Sequence, residues 1–124
     1  MKVLHTDKAP AAVGPYSQAI EVNGFVFCSG QLPIDPATGV FAEGGVKEQT
    51  RQSILNAQEV LRSAGLELSN VVKTTVYLSD MYNFAAMNEV YAQFFSEPFP
   101  ARSAVAVKTL PKNALVEVEC IATR

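Results

Sequence analysis

The sequence predicts an α+β protein: one mixed sheet with two helices on the same face, in the order β-β-α-β-α-β-β. Three observations carry that prediction. Asn23-Gly24 stands between two strand-like runs, the strongest short signal for a hairpin. Two stretches, 46–64 and 81–96, repeat apolar residues at three- and four-residue steps, the period of a helix with one buried stripe. The runs at 71–78, 102–107 and 115–122 have the composition and alternation of strands. The length of 124 residues suits a single domain, expected to span 1–124.

Residues 1–15 read as irregular, broken by Pro10 and by Gly14-Pro15. The first strand runs from Tyr16 to Val22 and returns across Asn23-Gly24 as Phe25 to Ser29, with Gly30 ending it. Phe25 and Phe27 alternate with Val26 and Cys28, so both faces of the return strand are apolar. Residues 31–45, with Pro33, Pro36, Gly39, Gly44 and Gly45, form a loop. The first helix aligns Ile54, Ala57, Leu61 and Ala64 and stops at Gly65. After the strand from Val71 to Leu78, Asp80 is placed to cap the second helix. The stripe of that helix is Phe84, Met87, Tyr91, Phe94 and Phe95, and Pro98 and Pro100 end it. A right-handed crossover through it makes strands 71–78 and 102–107 parallel. Two helices cover one sheet face. No chain remains for the other, although the return strand is apolar there as well. The expectation is an oligomer whose sheets pack against each other.

Composition narrows the function. Apolar residues make up 48% of the chain and the net charge is −2, without the basic footprint of a nucleic-acid binder. The first ten residues lack the apolar core of a signal peptide, and no run reaches transmembrane length, so a cytoplasmic location is expected. Cys28 and Cys120 both lie within apolar runs and are read as buried free thiols. A single histidine, His5, and two scattered cysteines assemble no zinc-type ligand set. No glycine-rich phosphate loop and no G-x-S-x-G elbow is present.

Several polar residues exceed what their elements need. Arg102 opens a strand otherwise built of Ala, Val and Ser. A guanidinium is a fork of donors matched to a carboxylate, so Arg102 either pairs with a glutamate of the last strand or holds a small acid. Asn88 sits within the stripe of the second helix, either tying a loop backbone or serving a pocket. Tyr16 is a core or interface aromatic, or a phenol aimed into a cleft. Ser29-Gly30 ends an apolar strand, and Gly30 would let a ligand approach the backbone N–H. Glu117 and Glu119 share one strand face, opposite Val116, Val118 and Cys120, and so point away from the helices.

Taken together, these segments resemble the RidA type of the reactive-intermediate deaminases, the YjgF family. The matching stretches are Ala9-Pro10 with Gly14-Pro15-Tyr16-Ser17-Gln18-Ala19, Cys28-Ser29-Gly30-Gln31-Leu32-Pro33 and Gln49-Thr50-Arg51. They continue with Asn88-Glu89-Val90-Tyr91, Pro100-Ala101-Arg102-Ser103, Leu110-Pro111-Lys112, and Val116-Glu117-Val118-Glu119 with Ile121-Ala122. They cover essentially the whole chain in order. The resemblance implies a chorismate-mutase-like fold assembled as a homotrimer with the sheets packed inside. It implies hydrolysis of enamine and imine acids such as 2-aminoacrylate, 2-iminopropanoate and 2-iminobutanoate to 2-oxo acids and ammonia. By motif, the family's arginine is Arg102 and its glutamate Glu117, the two expected catalytic residues. Tyr16, Ser29, Gly30, Asn88 and Ala104 are expected to line the substrate site with Arg102. Many relatives carry Cys where this chain has Ala104, and the chemistry needs no thiol.

On that reading Arg102 takes the substrate carboxylate and Glu117 polarises the attacking water and passes a proton to the leaving ammonia. No cofactor and no metal are expected, and the partners are an imino or enamino acid and two further copies of the chain. Two alternatives belong to other classes: a non-catalytic sensor of 2-oxo or imino acids, and an RNA-directed translation inhibitor. The acidic balance and the absence of a basic stripe count against the second.

Overall fold

The computed structural model describes residues 1–124. In chain order the elements are β1 (Lys2–Leu4), β2 (Ala19–Val22), β3 (Phe25–Gln31), α1 (Val46–Arg62), β4 (Val71–Leu78), α2 (Phe84–Phe94), β5 (Ala101–Ala106) and β6 (Val116–Thr123). Asn23 and Gly24 both take positive φ, 51° and 79°, and join β2 to β3 in the tight turn whose twist suits a hairpin. The sheet is six-stranded and mixed, in the order β1-β2-β3-β6-β4-β5, with β4 and β5 its parallel pair. The α+β architecture and the parallel crossover are as the sequence predicts.

Both helices lie on one face. Ile54, Val60 and Leu61 of α1 and Met87 of α2 are fully buried against Val26, Val76, Leu78, Val116 and Val118 of the sheet. Burial of one such side chain contributes about 1.5–3 kcal/mol, so this layer holds the helices in place. The thiols of Cys28 and Cys120 lie opposite each other on β3 and β6, buried and free. The contact with Cys120, and then burial, raise the Cys28 pKa well above the ordinary thiol value. No helix is long and apolar enough to cross a membrane.

The structure differs from the sequence reading in five places. Residues 2–4 are not irregular: they form a three-residue edge strand on β2, too short to show a period. Strand β2 begins at Ala19 rather than Tyr16, because its partners end at Leu4 and Cys28. Strand β3 continues through Gly30 to Gln31, carried past it by a bulge. Cys28 pairs with Cys120 and Gln31 with Val118, so three steps on β3 match two on β6. Helix α2 is shorter than expected, since Met81–Asn83 form a separate 3-10 turn whose Tyr82 N–H is capped by Asp80. Helix α1 stops at Arg62, and Gly65, at φ 75°, turns the chain away.

Candidate active site

The bulge decides what faces the open side of the sheet. On β6, Val116, Val118 and Cys120 are buried beneath the helices, and Glu117 and Glu119 alternate with them onto the other face. The extra residue of β3 brings Ser29 and Gly30 beside Glu117. A Cβ at position 30 would lie 2.5 Å from Glu117 Oε2 and 2.9 Å from its Cδ, so the carboxylate occupies the space that a side chain would need. Ser29 Oγ donates to the Ser17 carbonyl at 2.6 Å and fixes the segment leading from Tyr16.

These residues line a cavity of about 690 Å³, together with Tyr16, Gln18, Lys112, Glu119 and the loop residues Leu32 and Ile34. Tyr16 is not a core aromatic; it is half exposed and forms part of the wall. Gln18 is buried and makes three bonds: its Nε2 donates to the carbonyls of Thr6 and Pro10, and its Oε1 accepts from Thr6 N–H. It thereby holds the N-terminal segment against the cavity. Lys112 reaches the rim from the loop between β5 and β6, where Lys112 and Asn113 both take left-handed backbone, φ 57° and 58°. Burial, and then the charge of Glu119, hold the Glu117 pKa above the ordinary carboxylate range. No three His, Cys, Asp or Glu side chains converge as metal ligands.

Arg102 lies elsewhere. In the ladder it stands beside Thr74, whose hydroxyl bonds the Tyr91 hydroxyl at 2.8 Å on the helix side. Its guanidinium lies 4.7 Å from the Tyr91 ring centroid and 5.5 Å from that of Phe84. Its Nη1 donates to Asn88 Oδ1 at 2.6 Å. It pairs with neither glutamate, so the structural ion pair open in the sequence is not formed. Asn88 is not a buried amide within the helix stripe; it is exposed and meets this guanidinium instead of a loop backbone. Asn88, Tyr91, Phe99, Pro100 and Arg102 line a second cavity of about 450 Å³. Ala104 follows on the same face of β5, packed against the core.

One chain therefore brings together Tyr16, Ser29, Gly30 and Glu117 on the open face. It brings Arg102 and Asn88 together at the far edge of the helix-covered face. Sequence reasoning missed Gln18 and Lys112 as cavity residues, though both lie in segments it had singled out.

Comparisons with known proteins bear on the whole chain. The family model described as Endoribonuclease L-PSP matches residues 6–124. A RutC family protein of Pyrococcus abyssi is 54% identical over 121 residues, covering 98% of this chain and 95% of that protein. A 2-iminobutanoate/2-iminopropanoate deaminase of Bos taurus is 49% identical over 123 residues, covering 99% of this chain and 90% of the relative. The crystal structure of RidA from the Antarctic bacterium Psychrobacter sp. PAMC 21119 superposes with a TM-score of 0.95 at 47% identity, covering 100% of each chain. The bulged strand with its glycine against a glutamate, the mixed sheet beneath two helices and these end-to-end matches converge: the chain belongs to the RidA/YjgF family.

Proposed function

We propose that the protein is a cofactor-independent hydrolase of small enamine and imine acids, among them 2-aminoacrylate, 2-iminopropanoate and 2-iminobutanoate, yielding 2-oxo acids and ammonia. The observation that carries this reading is Glu117: a half-buried carboxylate with a raised pKa, facing a cavity and packed on a glycine. A carboxylate whose protonated form is favoured in this way both accepts and returns a proton more readily than an exposed one. The name carried by the Bos taurus relative supports the same chemistry.

A protonated imine carbon is already electrophilic. Glu117 takes a proton from water as the oxygen bonds to that carbon, and the carbon–nitrogen double bond becomes single. Glu117 then gives this proton to the nitrogen. The carbon–nitrogen bond breaks as the carbonyl forms, and the hydroxyl proton leaves through Glu117 to ammonia. Water and iminium thus become 2-oxo acid and ammonium, with no oxidant or reductant. Arg102 holds the substrate carboxylate through its paired N–H groups. The Asn88 bond and the two aromatic faces pre-orient its guanidinium.

Arg102 and Glu117 lie on different faces of one sheet, so the reading requires assembly. A homotrimer with the open faces turned inward would bring the β5 edge of one subunit to the Glu117 cavity of the next. The exposed Phe25 and Phe27 on that face support it, at 43% and 45% accessibility in the lone chain. The two free thiols suit a reducing compartment, the cytoplasm.

The test is Glu117→Gln, assayed on imine generated in place by a serine or threonine dehydratase, with keto acid followed over time. Turnover should fall by on the order of 10²-fold while binding of an unreactive 2-oxo acid is retained. Unchanged appearance of keto acid with and without the wild-type protein would instead leave a sensor of the same acids. An RNA-directed role is disfavoured by the cavity lining, where Glu117 and Glu119 face a single cation, Lys112.

A further inference from the structure

We infer that Glu119, held by the Tyr77 hydroxyl, is a positioning residue that keeps the transferred proton on Glu117 between the two halves of the reaction. The inference rests on the proposed role of Glu117 as the proton-transfer group. The geometry distinguishes two carboxylates that the strand period makes equivalent. Tyr77 stands directly opposite Glu117 in the ladder, and Thr75 opposite Glu119. The phenol does not bond its cross-strand neighbour. It reaches diagonally to donate to Glu119 Oε1 at 3.1 Å. Glu119 is therefore fixed, and Glu117, lying on Gly30, is left without a side-chain donor and free to meet water in the cavity.

The groups around Glu117 give Glu119 its effect. From β3 come Ser29 and Gly30, which carry no charge. From the N-terminal segment comes Tyr16, from β4 Tyr77, and from the loop before β6 Lys112, the lone cation lining the cavity. Arg102 of a neighbouring subunit joins them in the proposed trimer. The one negative neighbour is Glu119, two residues along the same strand. Burial and then this charge both favour the protonated form of Glu117. A base so placed holds the proton taken from water long enough to hand it to nitrogen. Tyr77 is itself held neutral by burial and by the charge of Glu119, so it stays a donor.

The experiment follows the Glu117 carboxyl by ¹³C NMR titration in the intact protein without substrate, alongside the pH profile of kcat/KM. Glu119→Gln should move the Glu117 midpoint to lower pH by roughly half to one unit. The acid limb of kcat/KM should move with it, since Glu117 must lose its proton to act as a base. Glu119→Asp keeps the charge and should restore most of the shift. Tyr77→Phe keeps the Glu119 charge but removes the hydroxyl that holds it, and should give an intermediate shift with kcat lowered more than KM is raised. A midpoint unmoved or raised in Glu119→Gln, or an aspartate variant that behaves like the glutamine, would overturn the inference. Should Glu119→Gln fail to fold, Glu119→Asp and Tyr77→Phe are read alone, and identical wild-type midpoints in both overturn it. A midpoint that shifts as expected in a protein that hydrolyses no imine would overturn the proposed reaction and leave the coupling of the two carboxylates standing.

Discussion

A methyl group at position 30 would land on the Glu117 carboxylate, while the Gly30 backbone itself lies outside the left-handed region and would accept alanine. Gly30→Ala therefore tests the contact and not the turn. Glu117 must swing away, and turnover should fall by at least about tenfold, the effect of roughly 1.4 kcal/mol on a barrier. Circular dichroism and sedimentation should remain those of the wild type. Near-normal turnover would show that the carboxylate can react from another position. The face that Glu117 takes was legible in the sequence because the two-residue strand period separates Glu117 and Glu119 from Val116, Val118 and Cys120; the choice between the two glutamates came only from the family resemblance. Gly30 was legible as a close approach, but not the group that approaches it: that depends on one extra residue in β3, which no local pattern announces. Nor does the sequence say that Arg102 faces the helices, since the face is fixed by its register against Thr74.

Among the elements, α1 holds more of the cavity than its apolar stripe suggests. Asn56 is 1% exposed, and its Nδ2 donates to the carbonyls of Leu32 at 3.0 Å and Ile34 at 2.8 Å. Gln52 Nε2 donates to its Oδ1 at 2.9 Å, so the amide is held in one orientation. The loop after β3, whose Leu32 and Ile34 line the cavity, is thus tied to a helix. Asn56→Ala removes the donor from two part-buried carbonyls and should cost roughly 1–3 kcal/mol of stability. It should raise KM more than it lowers kcat, because the wall loosens while Glu117 stays in place. Thermal unfolding and steady-state kinetics check the two effects separately. The helices and five of the six strands could be read from period and turn chemistry. The buried amide was expected on α2 at Asn88, yet it is Asn56 of α1 that is enclosed. A helix stripe shows which side turns inward, not how far a neighbouring loop extends over it. The edge strand Lys2–Leu4 escaped because three residues hold barely one alternation.

At the scale of the molecule, the uncovered sheet face is the outstanding fact. Phe25 and Phe27 lie on it beside Ile121, with Tyr77 and Val105 further across the sheet. Phe27 contributes nothing to the core beneath the helices, so Phe27→Arg should leave the fold of the chain intact. It should place three guanidinium groups inside the proposed trimer and shift sedimentation at micromolar concentration from trimer to monomer. Activity should disappear with the trimer. A monomeric variant that retained turnover would mean that one chain holds a complete site.

The separation of Arg102 from Glu117 on a single sheet has a genetic consequence. If each site borrows its arginine from a neighbour, two defective genes can repair one another. Subunits carrying Arg102→Lys still bring an intact Glu117, and subunits carrying Glu117→Gln still bring an intact Arg102. Unfolded and refolded together in equal amounts, two nearly inactive proteins should yield hybrid trimers with about a quarter of the sites fully wild-type in composition. The same two proteins mixed without unfolding, and so without exchange of subunits, should stay silent.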